Sequence, residues 1–211
     1  MHYKALIFDL DGVIADTILA HEAGWELVAN HFGVPVTPEL LFSFRGKRRH
    51  DILRAITGRT LSDAEFDQAM TAKVAHYDAF IAQISPAHIL PGVEALIEAG
   101  RVRGMGLAVA SSSYNANAVL EKLGLASRFD VIADGPTVAR AKPFPDIFVW
   151  TAGALRVRPS ECIVFEDAEA GVTAGRDAGM FVVGVGDPSY LGQAHRVVPN
   201  LTAVDLDVFD I

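Results

Sequence analysis

The strongest constraint on the fold is a short apolar run near the N-terminus that ends in two aspartates. The run Ala5–Phe8 predicts a buried strand, and Asp9 and Asp11 follow it. Residues two apart on a strand share a face, so both carboxylates can point into one cleft at the strand end. Carboxylates this close repel each other unless a cation or a shared proton compensates them. The motif therefore raises the question of a metal site and a phosphate site elsewhere in the chain.

Strand-like and helix-like segments alternate along most of the chain. This alternation predicts an α/β fold with a doubly wound, Rossmann-like parallel sheet. The predicted strands are Ala5–Leu10, Met105–Ala110, Val131–Ala133, Ile163–Phe165 and Phe181–Val185. The predicted core helices are Ala116–Leu123, Asp146–Leu155 and Ala168–Ala178.

Residues 16–82 break the alternation and indicate one helix after another. Ser62 and Glu65 have the spacing of a capping box at the start of the last of these helices. We predict a small helical cap domain at residues 16–82, inserted after the first strand of a core domain formed by residues 1–15 and 83–211. The predicted cap helices are Glu22–Phe32, Pro38–Phe44, Arg48–Ile56 and Ser62–Ile81.

Composition and charge exclude several classes of function. The formal net charge of −8 disfavours general nucleic-acid binding. The single cysteine, Cys162, has no partner for an internal disulfide and fits a reducing compartment. Neither a signal peptide nor a membrane span is readable. We therefore expect a cytoplasmic protein without a nucleic-acid or membrane partner, and the absence of a heptad pattern predicts a monomer.

Polar side chains follow the predicted strands at the edge where ligands bind in open α/β sheets. Ser111 follows the second predicted strand, and Glu166 and Asp167 follow the fourth. Lys142 precedes the helix predicted at Asp146. Together with the two aspartates of the first strand, four separate segments bring carboxylates, hydroxyls and one ammonium to the same edge. This convergence predicts an active site.

The residue types at this edge predict magnesium-dependent phosphoryl transfer. Asp9, Asp11, Glu166 and Asp167 offer only oxygen ligands, which suit Mg²⁺. Asp9 can attack phosphorus as a nucleophile, and Asp11 can give and take protons. In an alternative interpretation, the first pair forms a helix cap and turn, and the second pair merely caps the following helix.

Three further residues can assist the transfer. Ser111 and Lys142 can bind the transferring phosphoryl group and offset its charge. Thr17 can add a polar contact near Asp11. A polar turn at Ser111 and an ordinary surface lysine at position 142 are the alternatives.

The four motifs resemble those of the haloacid-dehalogenase-like phosphotransferases. The matching residues are Asp9-Leu10-Asp11-Gly12, Ser111, Lys142-Pro143 and Glu166-Asp167, in the order that the superfamily has them. The helical insert is similar to the cap of the subclass that places it after the first motif. The second aspartate of the first motif implies phosphoryl transfer rather than dehalogenation.

Within this superfamily the chain is similar to the β-phosphoglucomutase family. The resemblance implies that Arg49 binds the phosphate that is not being transferred and that Lys73 lies near the sugar. It also implies Mg²⁺-dependent isomerisation of β-glucose 1-phosphate to glucose 6-phosphate through a bisphosphate, with a small phosphorylated sugar as substrate. The matching cap residues are His21, Trp25, Gly46, Arg49 and Lys73.

One position departs from the family pattern. The family has Ser-x-Ser-Lys-Asn after the second strand, whereas Tyr114 replaces the lysine here. Ser113 and Asn115 remain as candidate phosphate-binding residues. A phosphate would lose one charge-assisted contact, worth about 1.5–3 kcal/mol. We hypothesise that Lys47 or Arg48 of the cap replaces the missing charge.

The sequence leaves two other functions open. A sugar-phosphate phosphatase would share the first half-reaction and differ only in using water as the second acceptor. A non-catalytic relative would bind a phosphorylated ligand without turning it over, but such proteins usually lose a motif carboxylate, and this chain retains all four.

Overall fold

The computed structural model describes residues 3–209 and has a parallel sheet of six strands at its centre. The strand order is β3-β2-β1-β4-β5-β6, which confirms the predicted α/β architecture. The strands are β1 (Ala5–Phe8), β2 (Gly106–Ala110), β3 (Val131–Ala133), β4 (Cys162–Glu166), β5 (Phe181–Val185) and β6 (Arg196–Val198).

Helices cover both faces of the sheet and make up most of residues 16–82, the predicted cap. The helices are α1 (Ile18–His31), α2 (Pro38–Ser43), α3 (Arg49–Thr57), α4 (Asp63–Ile81), α5 (Val93–Val102), α6 (Ala116–Leu123), α7 (Asp146–Ala154), α8 (Glu169–Asp177) and α9 (Pro188–Leu191). Within residues 3–209, no helix combines the length and the apolar character needed to cross a membrane.

Four elements differ from the sequence-based prediction, and one of them, the short helix α9, was not predicted. Helix α1 begins at Ile18, four residues before the predicted start, so that it follows the turn at Asp11 almost directly. Helix α5 was missed, although its buried residues have the spacing of an amphipathic helix. Strand β6 has only three residues and begins with the exposed Arg196. Its pairing with β5 defines it, and that pairing is not visible in a local pattern.

Strand β1 lies in the middle of the sheet and is buried on both faces. Leu6 and Phe8 pack in the hydrophobic cluster on one face, and Ala5 and Ile7 pack in the cluster on the other. Phe8 is in register with Val109 of β2 and with Phe165 of β4. The residues that follow Phe8, Val109 and Phe165 therefore emerge side by side at one edge of the sheet.

The four helices α1–α4 have a hydrophobic cluster of their own. Trp25, Phe44, Leu53 and Met70 are buried in it. The predicted capping box is present at the start of α4, with Ser62 N donating to Glu65 Oε2 at 2.8 Å. This unit lies within the predicted cap, residues 16–82, whose status as a separate domain stays a prediction.

The chain passes between the core and the helices α1–α4 at two places that lie side by side. The Leu90 amide donates to the carbonyl of Ile14 at 2.9 Å, and the Asp16 amide donates to the carbonyl of His88 at 2.9 Å. Ala15 and Ile89 also form an antiparallel bridge. The two passages thus form one hydrogen-bonded ribbon.

Candidate active site

A buried lysine joins two strand ends at the floor of the site. Lys142 Nζ donates to Asp9 Oδ1 at 2.5 Å, to the Ala110 carbonyl at 3.0 Å and to Glu166 Oε1. The side chain of Lys142 is fully buried. Its charge therefore needs these carboxylates, and it compensates part of theirs in return. The alternative of an ordinary surface lysine is wrong.

Three buried carboxylates form a candidate metal centre. Oxygens of Asp9, Glu166 and Asp167 lie within 4.8 Å of one another. Burial and the neighbouring charge of Glu166 raise the pKa of Asp9 to about 8, and the same two causes raise the pKa of Asp167 well above its usual range. Lys142 alone does not neutralise three carboxylates. A hard divalent cation fits both this charge deficit and the oxygen-only donor set.

The position of the Glu166 carboxylate depends on a glycine. Glu166 Oε2 accepts a hydrogen bond from the Ala168 amide at 3.0 Å, next to the start of α8. A Cβ atom at Gly171 would collide with the same carboxylate. Glu166 is therefore both part of the metal centre candidate and packed against the first turn of α8.

Asp11 has a different environment from Asp9. Its Oδ1 accepts a hydrogen bond from Thr17 Oγ1 at 2.6 Å, lies 3.2 Å from His21 Nε2 and is 3.5 Å from the hydroxyl of Tyr77. Burial alone would raise the pKa of Asp11, but His21 and the Thr17 hydrogen bond lower it. The lowered pKa keeps Asp11 ionised at neutral pH, so that it can accept a proton.

The carboxylate of Asp11 is not part of the three-carboxylate group found among residues 3–209. Its predicted role as a metal ligand is therefore without support from the side-chain positions. That role stays a prediction.

A cavity lies between this floor and the cap helices. Asp9, Asp11 and Asp167 line it from the core. The cap side contributes the following predicted site residues: His21, Trp25, Gly46, Arg49 and Lys73. The structure therefore brings the predicted cap residues and the predicted carboxylates to the two walls of one space.

Lys73 is a buried cation of the cap wall. Its Nζ lies 4.7 Å from the centre of the Trp25 ring and 5.5 Å from that of Tyr77. Burial and the nearby Arg49 lower the pKa of Lys73 to about 8. Gly24 leaves room for its stem, because a Cβ there would lie 3.0 Å from Lys73 Cγ. Two aromatic faces thus stabilise an ammonium that has little access to water.

The loop after β2 is organised by its own hydroxyls. Ser111 Oγ accepts a hydrogen bond from the Ser113 amide at 3.0 Å, and Ser113 Oγ accepts one from the Asn115 amide at 3.2 Å. Ser113 and Tyr114 line the cavity, whereas Ser111 and Asn115 are not among its lining residues. The phosphate-binding roles of these residues stay predictions.

Contacts between cap and core include residues that the sequence analysis missed. Arg45 pairs with Glu22 at 2.8 Å and lies 3.8 Å from Asp167. Ser112 Oγ donates to the Gly46 carbonyl at 3.0 Å. The dense basic cluster at 45–49 was the available signal for Arg45.

Tyr77 is a further missed residue, and its spacing was the signal. It lies four residues after Lys73 and therefore on the same face of α4. Of the two cations expected to replace the missing lysine, Lys47 lines the cavity. Arg48 instead donates to the Val138 carbonyl at 3.0 Å.

Comparison with known proteins identifies the family of enzymes to which this fold and site belong. The sequence profile of the haloacid dehalogenase-like hydrolases matches residues 3–179. The chain belongs to that family. Its α/β core and the cap match a β-phosphoglucomutase from Clostridium difficile with a TM-score of 0.91 and 35% identity, over 98% of this chain and 95% of that one.

Curated relatives include both mutases and phosphatases. The β-phosphoglucomutase of Bacillus subtilis (strain 168) is 35% identical over 210 residues, which cover 97% of this chain and 93% of the relative. The fructose-1-phosphate phosphatase of Escherichia coli (strain K12) is 33% identical over 183 residues, 87% of this chain and 96% of the relative. The chain is therefore β-phosphoglucomutase-like, and these two relatives are named for activity on sugar phosphates.

Proposed function

We propose that this protein is a Mg²⁺-dependent phosphosugar mutase that isomerises β-glucose 1-phosphate to glucose 6-phosphate. The observation that carries the proposal is the pairing of two walls across one cavity. Asp9 lies on the core wall, and the cations Arg49 and Lys73 lie on the cap wall. A bisphosphate intermediate needs a cationic site at each end, which Arg49 and Lys73 would supply on the cap wall and Lys142 together with the bound metal ion on the core wall.

The chain's own residues account for the bond changes. On an enzyme phosphorylated at Asp9, a hydroxyl of β-glucose 1-phosphate attacks the aspartyl-phosphate and passes its proton to Asp11, so that the bisphosphate forms and Asp9 is freed. After the bisphosphate has turned around, Asp9 attacks the phosphorus of its other phosphate, and the aspartyl-phosphate forms again as the bond from that phosphorus to the sugar oxygen breaks. Asp11 returns its proton to the departing oxygen, which leaves glucose 6-phosphate. Thr17 and His21 orient the Asp11 carboxylate throughout.

Asp9, Glu166 and Asp167 would hold the Mg²⁺ ion, which when bound would offset the charge of the transferring phosphoryl group. Lys142 adds a fixed positive charge beside Asp9. Because Lys142 is hydrogen-bonded to both Asp9 and Glu166, it also keeps the nucleophile oriented.

Exclusion of water favours transfer to a sugar over hydrolysis. The cap lies against the core through the Ser112 contact to Gly46, the Arg45 contact to Asp167 and the Arg48 contact to Val138. A phosphorylated Asp9 beneath these contacts has limited access to bulk water. This supports the mutase, since an aspartyl-phosphate has to survive until a glucose 1-phosphate binds and takes the phosphoryl group.

A phosphatase is the second candidate, and Tyr114 is the observation that favours it. The lysine of the family pattern is absent at this position, so the second anion site has one cation fewer. Water would then take the phosphoryl group from Asp9. The similarity to a fructose-1-phosphate phosphatase supports the same alternative.

A product assay separates these functions. The protein is incubated with β- or α-glucose 1-phosphate, Mg²⁺ and a trace of glucose 1,6-bisphosphate, and both glucose 6-phosphate and inorganic phosphate are measured. We expect glucose 6-phosphate from the β anomer in large excess over phosphate. Phosphate alone would identify a phosphatase, and neither product would support a non-catalytic relative. The expectations of a monomer and of a cytoplasmic location stay predictions.

A further inference from the structure

The ring of Tyr114 lies between the cap and the core. On its cap side, the guanidinium carbon of Arg49 lies 4.4 Å from the ring centre. On its core side, the ring packs against Gly135, where a Cβ would come within 3.0 Å of two ring carbons. Gly135 follows β3 and is hydrogen-bonded through its amide to the Ser113 carbonyl at 3.0 Å. The core thus packs against one side of the ring, and the ring contacts Arg49 of the cap.

Arg49 differs from the neighbouring arginines Arg45 and Arg48 in how it is bound. Arg45 pairs with the carboxylates of Glu22 and Asp167, and Arg48 donates to the Val138 carbonyl. Among residues 3–209, no carboxylate oxygen lies within the 4.0 Å ion-pair distance of Arg49. The contact that orients the Arg49 guanidinium in the cavity wall is therefore the face of an uncharged ring.

This mode of contact has a consequence for ligand binding. A guanidinium has five N–H donors in its plane, and an aromatic face uses none of them. A carboxylate partner would compete with a phosphate for these donors, and a lysine at position 114 would repel the guanidinium. Tyr114 instead attracts Arg49 and leaves its donors available for a bidentate contact with an anion.

We propose that Tyr114 is a positioning residue that holds Arg49 for the phosphate that is not being transferred. Tyr114 replaces the lysine of the family pattern, and by holding Arg49 it strengthens phosphate binding by this remaining cation. The identity of the anion rests on the proposed function, whereas the coupling between Tyr114 and Arg49 is independent of whether the acceptor is a sugar or water.

A double-mutant cycle tests this coupling. Tyr114→Leu, Tyr114→Phe and Arg49→Leu are compared with the double variant Tyr114→Leu/Arg49→Leu, with KM and kcat measured for β-glucose 1-phosphate. We expect Tyr114→Leu to raise KM roughly three- to tenfold and to change kcat less, as loss of one cation–π contact would. Tyr114→Phe keeps the ring and should stay within about twofold of the wild type. In the Arg49→Leu background, Tyr114→Leu should have no further effect.

Two outcomes would overturn the proposal. An equal rise in KM from Tyr114→Leu with and without Arg49 would show that Tyr114 acts independently of the guanidinium. A rise from Tyr114→Phe as large as that from Tyr114→Leu would assign the effect to the hydroxyl. Tyr114 is 51% exposed, so we expect all variants to fold, and Tyr114→Met serves as a second truncation if Tyr114→Leu does not.

Failure of the proposed function gives a different result. If the wild type releases phosphate without forming glucose 6-phosphate, the same cycle is measured on the hydrolysis of that substrate. If nothing is turned over, titration calorimetry with glucose 6-phosphate measures the same four affinities. The ratio between backgrounds thus tests Tyr114 whichever reaction the wild type performs.

Discussion

The two walls of the cavity hold their charges in opposite ways. On the core wall, Lys142 is bound directly to Asp9 and Glu166 and is shielded from water. On the cap wall, Arg49 and Lys73 lie against the rings of Tyr114 and Trp25. A buried ion pair fixes both partners, because separating them leaves an uncompensated charge. A ring stabilises a cation and leaves its donors unused. In the proposed function, the core wall would therefore fix one reaction geometry, and the cap wall would bind an anion that enters and leaves.

Removal of the proposed nucleophile, Asp9, should abolish the reaction at the core wall. We expect Asp9→Asn to lower turnover of every phosphate ester by at least about 1,000-fold, because the amide cannot form the acyl phosphate. Asp16→Asn, an exposed carboxylate nearby, is the matched control and should retain activity. Both are measured by initial rates with Mg²⁺. Retained turnover in Asp9→Asn would exclude Asp9 as the nucleophile.

Removal of Arg49 from the cap wall would weaken substrate binding and leave the carboxylates and Lys142 of the core wall unchanged. We expect Arg49→Leu to lower kcat/KM for a hexose phosphate about 10- to 100-fold, through loss of a bidentate contact to phosphate. Arg54→Leu removes an exposed arginine from the same helix and serves as the control. If the two variants had equal kinetics, Arg49 would have no part in substrate binding.

The uncompensated negative charge of the core wall should make the free energy of unfolding depend on pH and on Mg²⁺. The folded-state pKa of Asp9, about 8, lies above its usual value of 3.8, so the folded protein binds a proton that the unfolded chain releases. Asp167 shifts in the same direction. Without metal, the melting temperature should therefore fall by about 5 °C between pH 5 and pH 8.

Mg²⁺ should reverse this loss at pH 8 more than at pH 5, since the cation binds the ionised carboxylates. Thermal melts with EDTA and with Mg²⁺ at both pH values measure the difference. In Asp9→Asn, the pH dependence should shrink. A melting temperature of the metal-free wild type that rises from pH 5 to pH 8 would contradict this assignment of the charge deficit.

Removal of a second aromatic contact between cap and core should have the smallest effect on activity. The rings of Phe42 and Tyr190 lie with their centres 4.0 Å apart. We expect Tyr190→Ala to lower kcat/KM about two- to fivefold by weakening cap closure, in line with the small energy of one aromatic pair. Tyr190→Phe keeps the ring and should restore the wild-type value. A change confined to the melting temperature would limit this pair to a role in stability.

The core wall was largely predictable from the sequence, for a geometric reason. Parallel strands end at one common edge, so Asp9 and Glu166 had to lie together once β1 and β4 were recognised as strands. Lys142 lies outside any strand, and its place was inferred from its position just before the helix predicted at Asp146 and supported by the resemblance to a family. Strand β6 was missed because it begins with the exposed Arg196 and only Val198 is buried, so no apolar run marks it as β3 is marked.

The cap wall was predictable in its residues but not in its contacts. Arg49 and Lys73 were named from the family resemblance, and both line the cavity. The stacking of Arg49 on Tyr114 and the approach of Tyr77 to Asp11 join residues far apart in the chain. Such contacts depend on how the cap lies on the core. No spacing within either unit encodes that.

The paired ribbon between core and cap has a mechanical consequence. Because the amides of Leu90 and Asp16 bind the opposite passage, the two passages cannot turn separately. Any rotation of the cap relative to the core has to occur about the axis of this ribbon. Thr17, next to the axis, would hardly move relative to Asp11, whereas Arg49 would travel further. In the proposed function, a small opening would release the phosphate bound by Arg49, while Asp11 keeps its hydrogen bond to Thr17.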